Sequence, residues 1–554
     1  MGPTTRICSL AAALLTASPA LAAPSLQRVD FLRSPAATFV AARAAANAGD
    51  ARRAAILYAS LSTSSSADRM AAERALEQAI LAGDMALALR LAQRQPRAEL
   101  GVAPRMLLAA EALREGKGAD ALGADWPAEL GFLQPFVHAW TFAERGRWRE
   151  GVAVLDGAGR DNMLAGLMPE QKALILLAAG RAAEARPLIA PALAVAKGRA
   201  NRLRIAFASG LAAAGEREEG LALLEGRDAT LRSAAPALAA ERRPRPPINT
   251  AAEAFSELVV ALALSLDQEE GRTLPLSLTQ VARHADPRNE QATLLLGLLL
   301  DRGARFDDAL AAFRSLPETS PFVGEARDGE TRVLLAAGRK EEALARARAF
   351  VDRDDRQAGD WARLGDVLDD MKRHEEAAAA YGSALAAVQA GGPGPELWSI
   401  HLLQGASLEQ AGKWPEAERA LEHAHQLAPD NPIVLNYLGY ARLERGEQLD
   451  EAEALIAEAS RRAPSDASIT DSLGWAQFKR GKVAEAILTL QRAAAADPGQ
   501  AEIHEHLGDA LYTAGRKYEA RFAWNAALVT AEDDVRKRVE DKIAAGLSAA
   551  TAAP

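Results

Sequence analysis

The chain has 554 residues, of which 49% are hydrophobic and 25% charged, and these proportions exclude a collagen-like, low-complexity or wholly disordered protein. The net charge is −9 and no long block of lysine and arginine occurs, so a nucleic-acid-binding surface is not expected. Aromatic residues make up only 5%, and the apolar content is mainly alanine and leucine, which favours an all-helical fold.

Residues 1–22 have the pattern of a secretory signal peptide. Arg6 supplies a positive charge, a short apolar run follows, and Ala20-Leu21-Ala22 offers the small residues of a cleavage site. The apolar run is shorter than the roughly 20 residues that a membrane-spanning helix needs. We therefore predict an exported, periplasmic protein whose leader is cleaved near Ala22/Ala23, with no transmembrane segment.

Cysteine usage narrows the possible chemistry further. Cys8 is the only cysteine, and it lies within the predicted leader, too early for a lipoprotein anchor. The mature protein would then have no disulfide, no thiolate nucleophile and no cysteine-ligated metal.

A repeat of roughly 34 residues organises the rest of the chain. Glycines that separate pairs of amphipathic, alanine-rich segments recur near this interval from Gly49 to Gly515, and in one turn Lys372-Arg373-His374 replaces the glycine. A single helical hairpin cannot bury both of its faces, so neighbouring hairpins must stack. The spacing predicts about 14 stacked helical hairpins.

Three consecutive units near the C-terminus show the repeat most clearly. Each contains a leucine followed by glycine, in Leu438-Gly439, Leu473-Gly474 and Leu507-Gly508, and then small alanines and a large apolar residue on a second helix. This skeleton resembles the tetratricopeptide repeat (TPR), strongly over residues 290–531 and weakly over 31–290. The resemblance implies a right-handed superhelical solenoid, and the chain also resembles exported bacterial multi-TPR proteins of similar length.

Prolines and arginines mark a boundary at residues 241–250, because consecutive prolines cannot continue a helix. We interpret this segment as a linker, and a basic recognition strip is the alternative. The predicted organisation is a signal peptide at 1–22, degenerate TPR-like repeats at 31–240, the linker at 241–250, a TPR array at 251–531 with its best-kept repeats at 398–531, and a C-terminal tail at 532–554.

The motifs of enzymes and metalloproteins are not found. His504 and His506 are two residues apart and would point to different faces of a helix, so they cannot chelate a metal together. The glycine-rich segment 391–394 lacks the lysine and serine or threonine of a phosphate-binding loop. We predict no catalytic residue, no metal and no cofactor.

The first helix of each hairpin is predicted to carry the partner-binding surface, since ligands of TPR domains usually lie in the concave groove that these helices line. Residues one after each repeat glycine, and three to four before that, share one helical face. The predicted groove residues are Asn436, Tyr440, Asp471, Trp475, Phe478, Glu505, Asp509 and Tyr512. We expect Leu438 and Leu473 to form the core and Trp475 to remain partly exposed as an anchor. Packing of the aromatic rings between repeats is the alternative.

Charge indicates the kind of partner. Residues 396–534 contain 23 acidic and 13 basic residues, which gives this region a net charge of −10. Complementarity favours a neutral or basic protein or peptide. The leading hypothesis is therefore a periplasmic scaffold in envelope assembly or maintenance. The alternatives are an accessory protein of polysaccharide binding or export, whose aromatic residues stack on sugars, and, more remotely, an enzyme with a site near Trp126, Trp140 and Trp148.

Overall fold

A computed structural model of the protein describes residues 34–61, 68–122, 126, 128–159, 162–226, 228–242, 245–266, 273–392, 394–548, 551 and 553. The predicted signal peptide and its cleavage site lie outside these residues. The described residues form 29 α-helices and five short 3-10 helices and contain no β-strand. The predicted all-α repeat architecture is thereby confirmed.

The first nine helices are α1 (Pro35–Asn47), α2 (Ala51–Leu61), α3 (Asp68–Leu81), α4 (Met85–Gln93), α5 (Val102–Arg114), α6 (Gln134–Glu144), α7 (Trp148–Gly157), α8 (Met168–Ala178) and α9 (Ala182–Val195). The next six are α10 (Ala200–Ala213), α11 (Arg217–Ala222), α12 (Ala229–Ala240), α13 (Ala251–Leu266), α14 (Thr273–Ala285) and α15 (Glu290–Arg302). The remaining helices are α16 (Phe306–Arg314), α17 (Val323–Ala336), α18 (Lys340–Val351), α19 (Ala358–Asp370), α20 (His374–Gln389), α21 (Leu397–Gln410), α22 (Trp414–Leu427), α23 (Pro432–Arg445), α24 (Leu449–Arg462), α25 (Ala467–Lys479), α26 (Val483–Ala496), α27 (Ala501–Thr513), α28 (Lys517–Thr530) and α29 (Asp533–Ala545). The 3-10 helices are Arg97–Glu99, Gly118–Leu122, Ala128–Leu133, Ala165–Leu167 and Lys197–Arg199.

The chain forms two compact units, and they do not divide at residues 241–250. The first unit comprises the chain up to residue 179 together with 183–198 and 248–305, and the second comprises 180–182, 199–247 and 306 onward. The segment 241–250 therefore leads the chain from the second unit back into the first. It does not separate two successive arrays.

The return of the chain has a physical reason in the composition of α13. Its residues Phe255, Leu258, Val259 and Val260 are all buried, and together they cover more than one face of the helix. A helix that is apolar all round must be enclosed by others. Within the first unit, α13 packs against α5, α6 and α14, and α14 packs in turn against α3 and α5.

The second unit contains five consecutive helical hairpins, which we call the C-terminal array: α19/α20, α21/α22, α23/α24, α25/α26 and α27/α28. The second helix of each hairpin packs against the first helix of the next. Helices α19, α21, α23, α25 and α27 are the first helices of these hairpins, and they lie in equivalent positions along the array.

Small residues allow the two helices of a hairpin to approach closely. A Cβ placed on Gly474 of α25 would lie 2.6 Å from Leu490 Cγ on α26, so no larger residue fits without displacement of the leucine. Ala486 on the same second helix has no exposed surface. Ala486 therefore lies at the contact between the paired helices, as expected for the small alanines of the repeat.

Local sequence signals set where the helices of the array begin and end. Asn431 and Asp466 are the N-caps of α23 and α25, and the side-chain oxygen of each accepts a backbone N–H of the first turn, from Ile433 at 2.9 Å and from Ile469 at 3.0 Å. Gly481 joins α25 to α26 with φ of +76°, a conformation that favours glycine. These caps fix where the first helices begin.

The predicted C-terminal tail is largely a helix. Residues Asp533–Ala545 form α29, which packs against α27 and α28. Val539 and Lys542 of α29 have no exposed surface. This valine and lysine, buried on a helix that follows the last hairpin, show that α29 closes the core at the end of the C-terminal array.

Candidate partner-binding groove

A groove of about 490 Å³ runs along the first helices of the C-terminal array. We call it the acidic groove. Its lining residues come from α21, α23, α25, α27 and α29 and from the turn before α27: Glu409, Gln410, Asn436, Tyr437, Tyr440, Ala441, Glu444, Ser468, Asp471, Ser472, Gln500, Glu502, Glu505, His506 and Arg538. Five of these residues are carboxylates and one is an arginine, but Arg445 and Lys542 beside the lining pair with Glu409 and Glu505, so less negative charge is left unpaired than this count gives.

The carboxylate at the α21 side of the groove is held by two donors. Glu409 accepts from Arg445 Nη1 at 2.6 Å and from the Tyr437 hydroxyl at 3.0 Å. Burial and the Glu409 charge raise the pKa of Tyr437, which therefore stays a donor. On the next turn of α23, burial and the nearby Glu444 and Asp471 charges raise the pKa of Tyr440 in the same way. The groove thus combines fixed carboxylates with protonated phenols.

A histidine and an aspartate join α25 to α27 at the floor of the groove. His506 Nδ1 lies 3.0 and 2.9 Å from the two oxygens of Asp471, and both residues are buried. Burial disfavours the imidazolium, but the Asp471 charge and hydrogen bond hold the pKa of His506 above its ordinary value. The result is a buried, charge-assisted contact between neighbouring repeats.

At the far end of the groove, α29 supplies cations to α27. Arg538 donates to both oxygens of Glu505, at 2.7 and 2.8 Å, and Lys542 Nζ lies 2.6 Å from Glu505 Oε1 and 2.7 Å from Asp509 Oδ2. Burial opposes the charge on Glu505, yet these two cations hold the pKa of its carboxyl below the ordinary value. This end of the groove is therefore neutralised from within the chain.

One polar atom at the groove has no partner among the described residues. Asn436 Oδ1 is buried and accepts no hydrogen bond there. A buried acceptor without a donor costs free energy, about 1–3 kcal/mol. A bound N–H donor would recover that cost.

The eight predicted groove residues divide into two sets. Four of them line the acidic groove: Asn436, Tyr440, Asp471 and Glu505. The other four lie outside its lining: Trp475, Phe478, Asp509 and Tyr512. In the first set, Asn436, Asp471 and Glu505 lie near the start of their helices, and Tyr440 lies one turn later. The second set lies one turn or two turns beyond those starting positions.

The expectation that Trp475 is a partly exposed anchor is wrong. Trp475 is only 1% exposed, and its indole stacks on His506 at 4.2 Å between ring centres and on Phe478 at 5.0 Å. Its Nε1 donates to Glu444 Oε1 at 3.1 Å. Conversely, Leu473, expected in the core, is only partly buried. Trp475 is a core residue between repeats, because the histidine of the next repeat supplies a flat surface against it.

The remaining predicted residues are also engaged by the protein itself. Asp509 has no exposed surface and accepts from Trp524 Nε1 at 3.0 Å as well as from Lys542. Tyr512 is partly buried, and its ring lies 5.4 Å from that of Trp524. These side chains fasten α27 to its neighbours and are not free for a partner.

Several groove residues lie outside the predicted set, although a simple sequence signal identifies them. Tyr437, Ser472 and His506 each stand immediately before the leucine-glycine pair of their repeat and all three line the groove. The side of each first helix that lines the groove therefore includes one more residue than predicted, the residue before the leucine-glycine pair. Arg538 was missed because its segment was interpreted as a tail.

The described residues lack the features of two other kinds of site. No three histidine, aspartate or glutamate side chains converge in a way that could hold a metal ion. In the same part of the chain, no helix is both long and apolar enough to cross a membrane. Trp140, near which an enzymatic site was considered, is a buried residue whose Nε1 donates to Gln171 at 2.8 Å.

Comparison with known proteins identifies the repeats. Tetratricopeptide-repeat family models match residues 277–323, 408–473 and 472–534. No curated protein matches the chain. Together with the close-packed hairpins described above, these matches identify tetratricopeptide repeats in those parts of the chain, a repeat whose fold is typical of scaffolds for protein–protein interaction.

Several solved structures are similar to the chain, and each match covers most of this chain or most of the solved chain. A chain of the APC/C hetero-tetramer Cut9-Hcn1 is 15% identical over 93% of this chain and 96% of its own, with a TM-score of 0.38. Yeast Tom70 is 11% identical over 92% and 95%, with a TM-score of 0.38. A tetratricopeptide-repeat protein from Parabacteroides merdae is 13% identical over 52% and 97%, with a TM-score of 0.33.

Proposed function

We propose that the protein is a periplasmic scaffold that binds a neutral or basic segment of another protein in its acidic groove, without catalysing a reaction. The observation that carries this proposal is the groove itself, with five carboxylates and one arginine around a volume of about 490 Å³. Opposite charge steers such a partner to the groove and fixes its orientation. A role in assembly or maintenance of the cell envelope follows from the proposed compartment.

The free donors and acceptors of the groove support a peptide as the ligand. Asn436 Oδ1 is buried without a partner among the described residues and can accept a backbone or side-chain N–H. Glu502 lines the groove and is exposed, so it is available to a lysine or arginine of the partner. An extended basic peptide satisfies both groups at once.

The experiment is a calorimetric titration of the full chain with a short synthetic peptide of alternating lysine and alanine. A matched peptide of alternating glutamate and alanine is the control ligand. We expect binding of the basic peptide only, weakened several-fold by added salt as exposed charges are screened. Glu502→Gln should weaken binding, whereas Glu485→Gln, on the second helix α26 and away from the groove lining, should not.

Equal binding of the two peptides, or none, would contradict the proposal. The sugar-binding alternative is tested with a neutral oligosaccharide in the same instrument. It has lost its main support, since Trp475, the ring expected to stack on sugars, is buried.

Export is proposed from the leader alone. N-terminal sequencing of protein purified from its host should begin at Ala23 or within a residue or two of it. Soluble cytoplasmic protein that still begins at Met1 would contradict the periplasmic proposal.

A further inference from the structure

The three most exposed large hydrophobic side chains of the described residues all lie on one helix, α28. Tyr518, Val529 and Phe522 are 83%, 80% and 76% exposed. On the opposite side of the same helix, Ala520 and Trp524 have no exposed surface. Because that opposite side already holds α28 in the C-terminal array, the exposed apolar side chains contribute little to the fold.

The spacing of the exposed residues is that of a seam between two paired helices. Tyr518, Phe522, Asn525 and Val529 are all exposed and follow one another at intervals of four, three and four residues. This is the a and d pattern of a coiled coil, in which two helices pack side by side. A single asparagine in such a seam fixes the register of the pair and lowers its stability. We call these four residues the α28 stripe.

The repeat itself does not require an apolar outer surface. The buried alanines and large apolar residue of each second helix align α28 with the earlier hairpins. The positions equivalent to the α28 stripe are Pro415, Arg419, Glu422 and Gln426 in α22, and Ala484, Leu488, Gln491 and Ala495 in α26. The outer side is therefore polar in α22, carries one large apolar residue in α26, and carries three in α28.

We propose that the α28 stripe is the contact surface for a second copy of this chain, with the two α28 helices antiparallel about a two-fold axis. In antiparallel pairing an a residue packs against a d residue of the other helix. Tyr518 then lies against Val529 of the second copy, and Phe522 lies against Asn525. Each large ring faces a smaller side chain, and the same contact is made twice, as a two-fold interface requires.

Charge also favours an antiparallel second copy. The charged residues Lys517, Glu519 and Arg521 lie in the first half of α28, and residues 522–530 carry no charge. Antiparallel pairing places this charged half beside the uncharged half of the other copy, whereas parallel pairing would oppose like charges. It also brings Lys517 to the C-terminal end of the facing helix, where the helix dipole and the exposed Glu532 favour a cation.

The area of the α28 stripe fits a weak dimer. Aromatic side chains bury about 150–250 Å² each, so the two rings and the valine of one copy offer on the order of 400 Å². With the flanking residues of both copies, pairing would bury roughly 1,000 Å² in total, the lower end for a specific interface. We therefore expect reversible association with a dissociation constant in the micromolar range.

This inference goes beyond the proposed function and does not depend on it. The acidic groove is lined by first helices and α29, and none of the four residues of the α28 stripe lines it. A dimer formed through the α28 stripe would therefore present two acidic grooves. A partner with two suitable segments would bind such a dimer more tightly than a monomer.

Sedimentation velocity of the full chain, from low micromolar to submillimolar concentration, tests the association. Phe522→Glu should weaken dimerisation at least about tenfold, since a central ring of the interface is replaced by a charge. Leu488→Glu makes a matched change at the exposed, equivalent position of the preceding hairpin and should have little effect. Both positions are exposed, so both variants should melt like the wild type. Added salt should not weaken the dimer, because the two copies carry the same net charge of −9, whereas it should weaken peptide binding in the acidic groove.

Disulfide trapping tests the antiparallel arrangement. Cys8 is the only cysteine, so all trapping variants carry Cys8→Ser. Tyr518→Cys and Val529→Cys in one chain lie about 16 Å apart along the helix, too far for a disulfide within that chain. We expect oxidation to give covalent dimers from this double variant and few from either single variant.

A wild type that stays monomeric at every concentration, or equal losses in Phe522→Glu and Leu488→Glu, would overturn the proposal. If a monomeric wild type instead sediments with phosphatidylglycerol vesicles and Phe522→Glu does not, the α28 stripe contacts a membrane surface and the second copy is wrong. Efficient covalent dimers of Tyr518→Cys alone would overturn the antiparallel arrangement. Failure of the lysine-alanine peptide to bind would contradict the proposed function and leave these outcomes unchanged.

Discussion

Lys542→Met is expected to loosen the end of the C-terminal array, because it removes the cation from a fully buried site. Lys542 has no exposed surface, and its two carboxylate partners, Glu505 and Asp509, are 1% and 0% exposed. Removing one partner of a buried ion pair costs about 3–5 kcal/mol, since the other charge is left uncompensated. Glu505 keeps Arg538, so we expect a value near the lower limit, about 3 kcal/mol. Methionine keeps the length of the side chain, so little packing is lost.

Native-state hydrogen exchange is the assay, because the end of a repeat array opens locally before the whole protein unfolds. A loss of about 3 kcal/mol corresponds to roughly a hundredfold faster exchange in α27, α28 and α29. Lys537→Met, an exposed lysine on the same helix, is the matched control and should change little. Adding Asp509→Asn to Lys542→Met should restore part of the protection, because the unpaired charge is gone. Equal effects of the two lysine variants would refute the reasoning.

Three further outcomes are expected. Trp475→Ala should destabilise the array by about 3–5 kcal/mol in urea denaturation, because this is the usual cost of truncating a buried tryptophan. A loss of peptide affinity without a loss of stability would contradict the core position of Trp475. Asp471 raises the pKa of His506 in the folded state. The stability that this pair contributes is therefore fully present below the unfolded pKa of about 6.5 and is lost as the pH rises through the folded pKa. His506→Gln should remove this pH dependence, measured as the midpoint of urea denaturation. Ala486→Leu should overpack a site with no exposed surface and cost about 1–3 kcal/mol by the same measurement, and an unchanged midpoint would place Ala486 away from the helix contact.

The features of the fold that follow from local sequence were predictable. The period of the glycines, the caps at Asn431 and Asp466 and the small residue Ala486 each depend on neighbours within one repeat. These features can be predicted because helix caps, turns and the contact within a hairpin depend on residues that are close together in the sequence.

The features that depend on distant residues were not predictable in the same way. Helical spacing placed Trp475 on the same side of α25 as Asp471, but it could not show that Trp475 is buried, because the burial depends on His506 in the next repeat. The burial of Lys542 needs the carboxylates of α27, and a lone lysine in a polar segment is normally solvated. The return of α13 to the first unit likewise depends on partners more than a hundred residues earlier.

Photo-cross-linking with mass-spectrometric mapping tests the central claim, that the acidic groove is the partner-binding surface, most directly. The lysine-alanine peptide would carry a benzophenone at its centre and be irradiated with the full chain. We predict cross-links to the first helices, within residues 436–444, 468–472 and 500–506, that are suppressed by excess unlabelled peptide. Cross-links concentrated elsewhere, such as on the exposed Tyr518 and Phe522 of α28, would contradict the account.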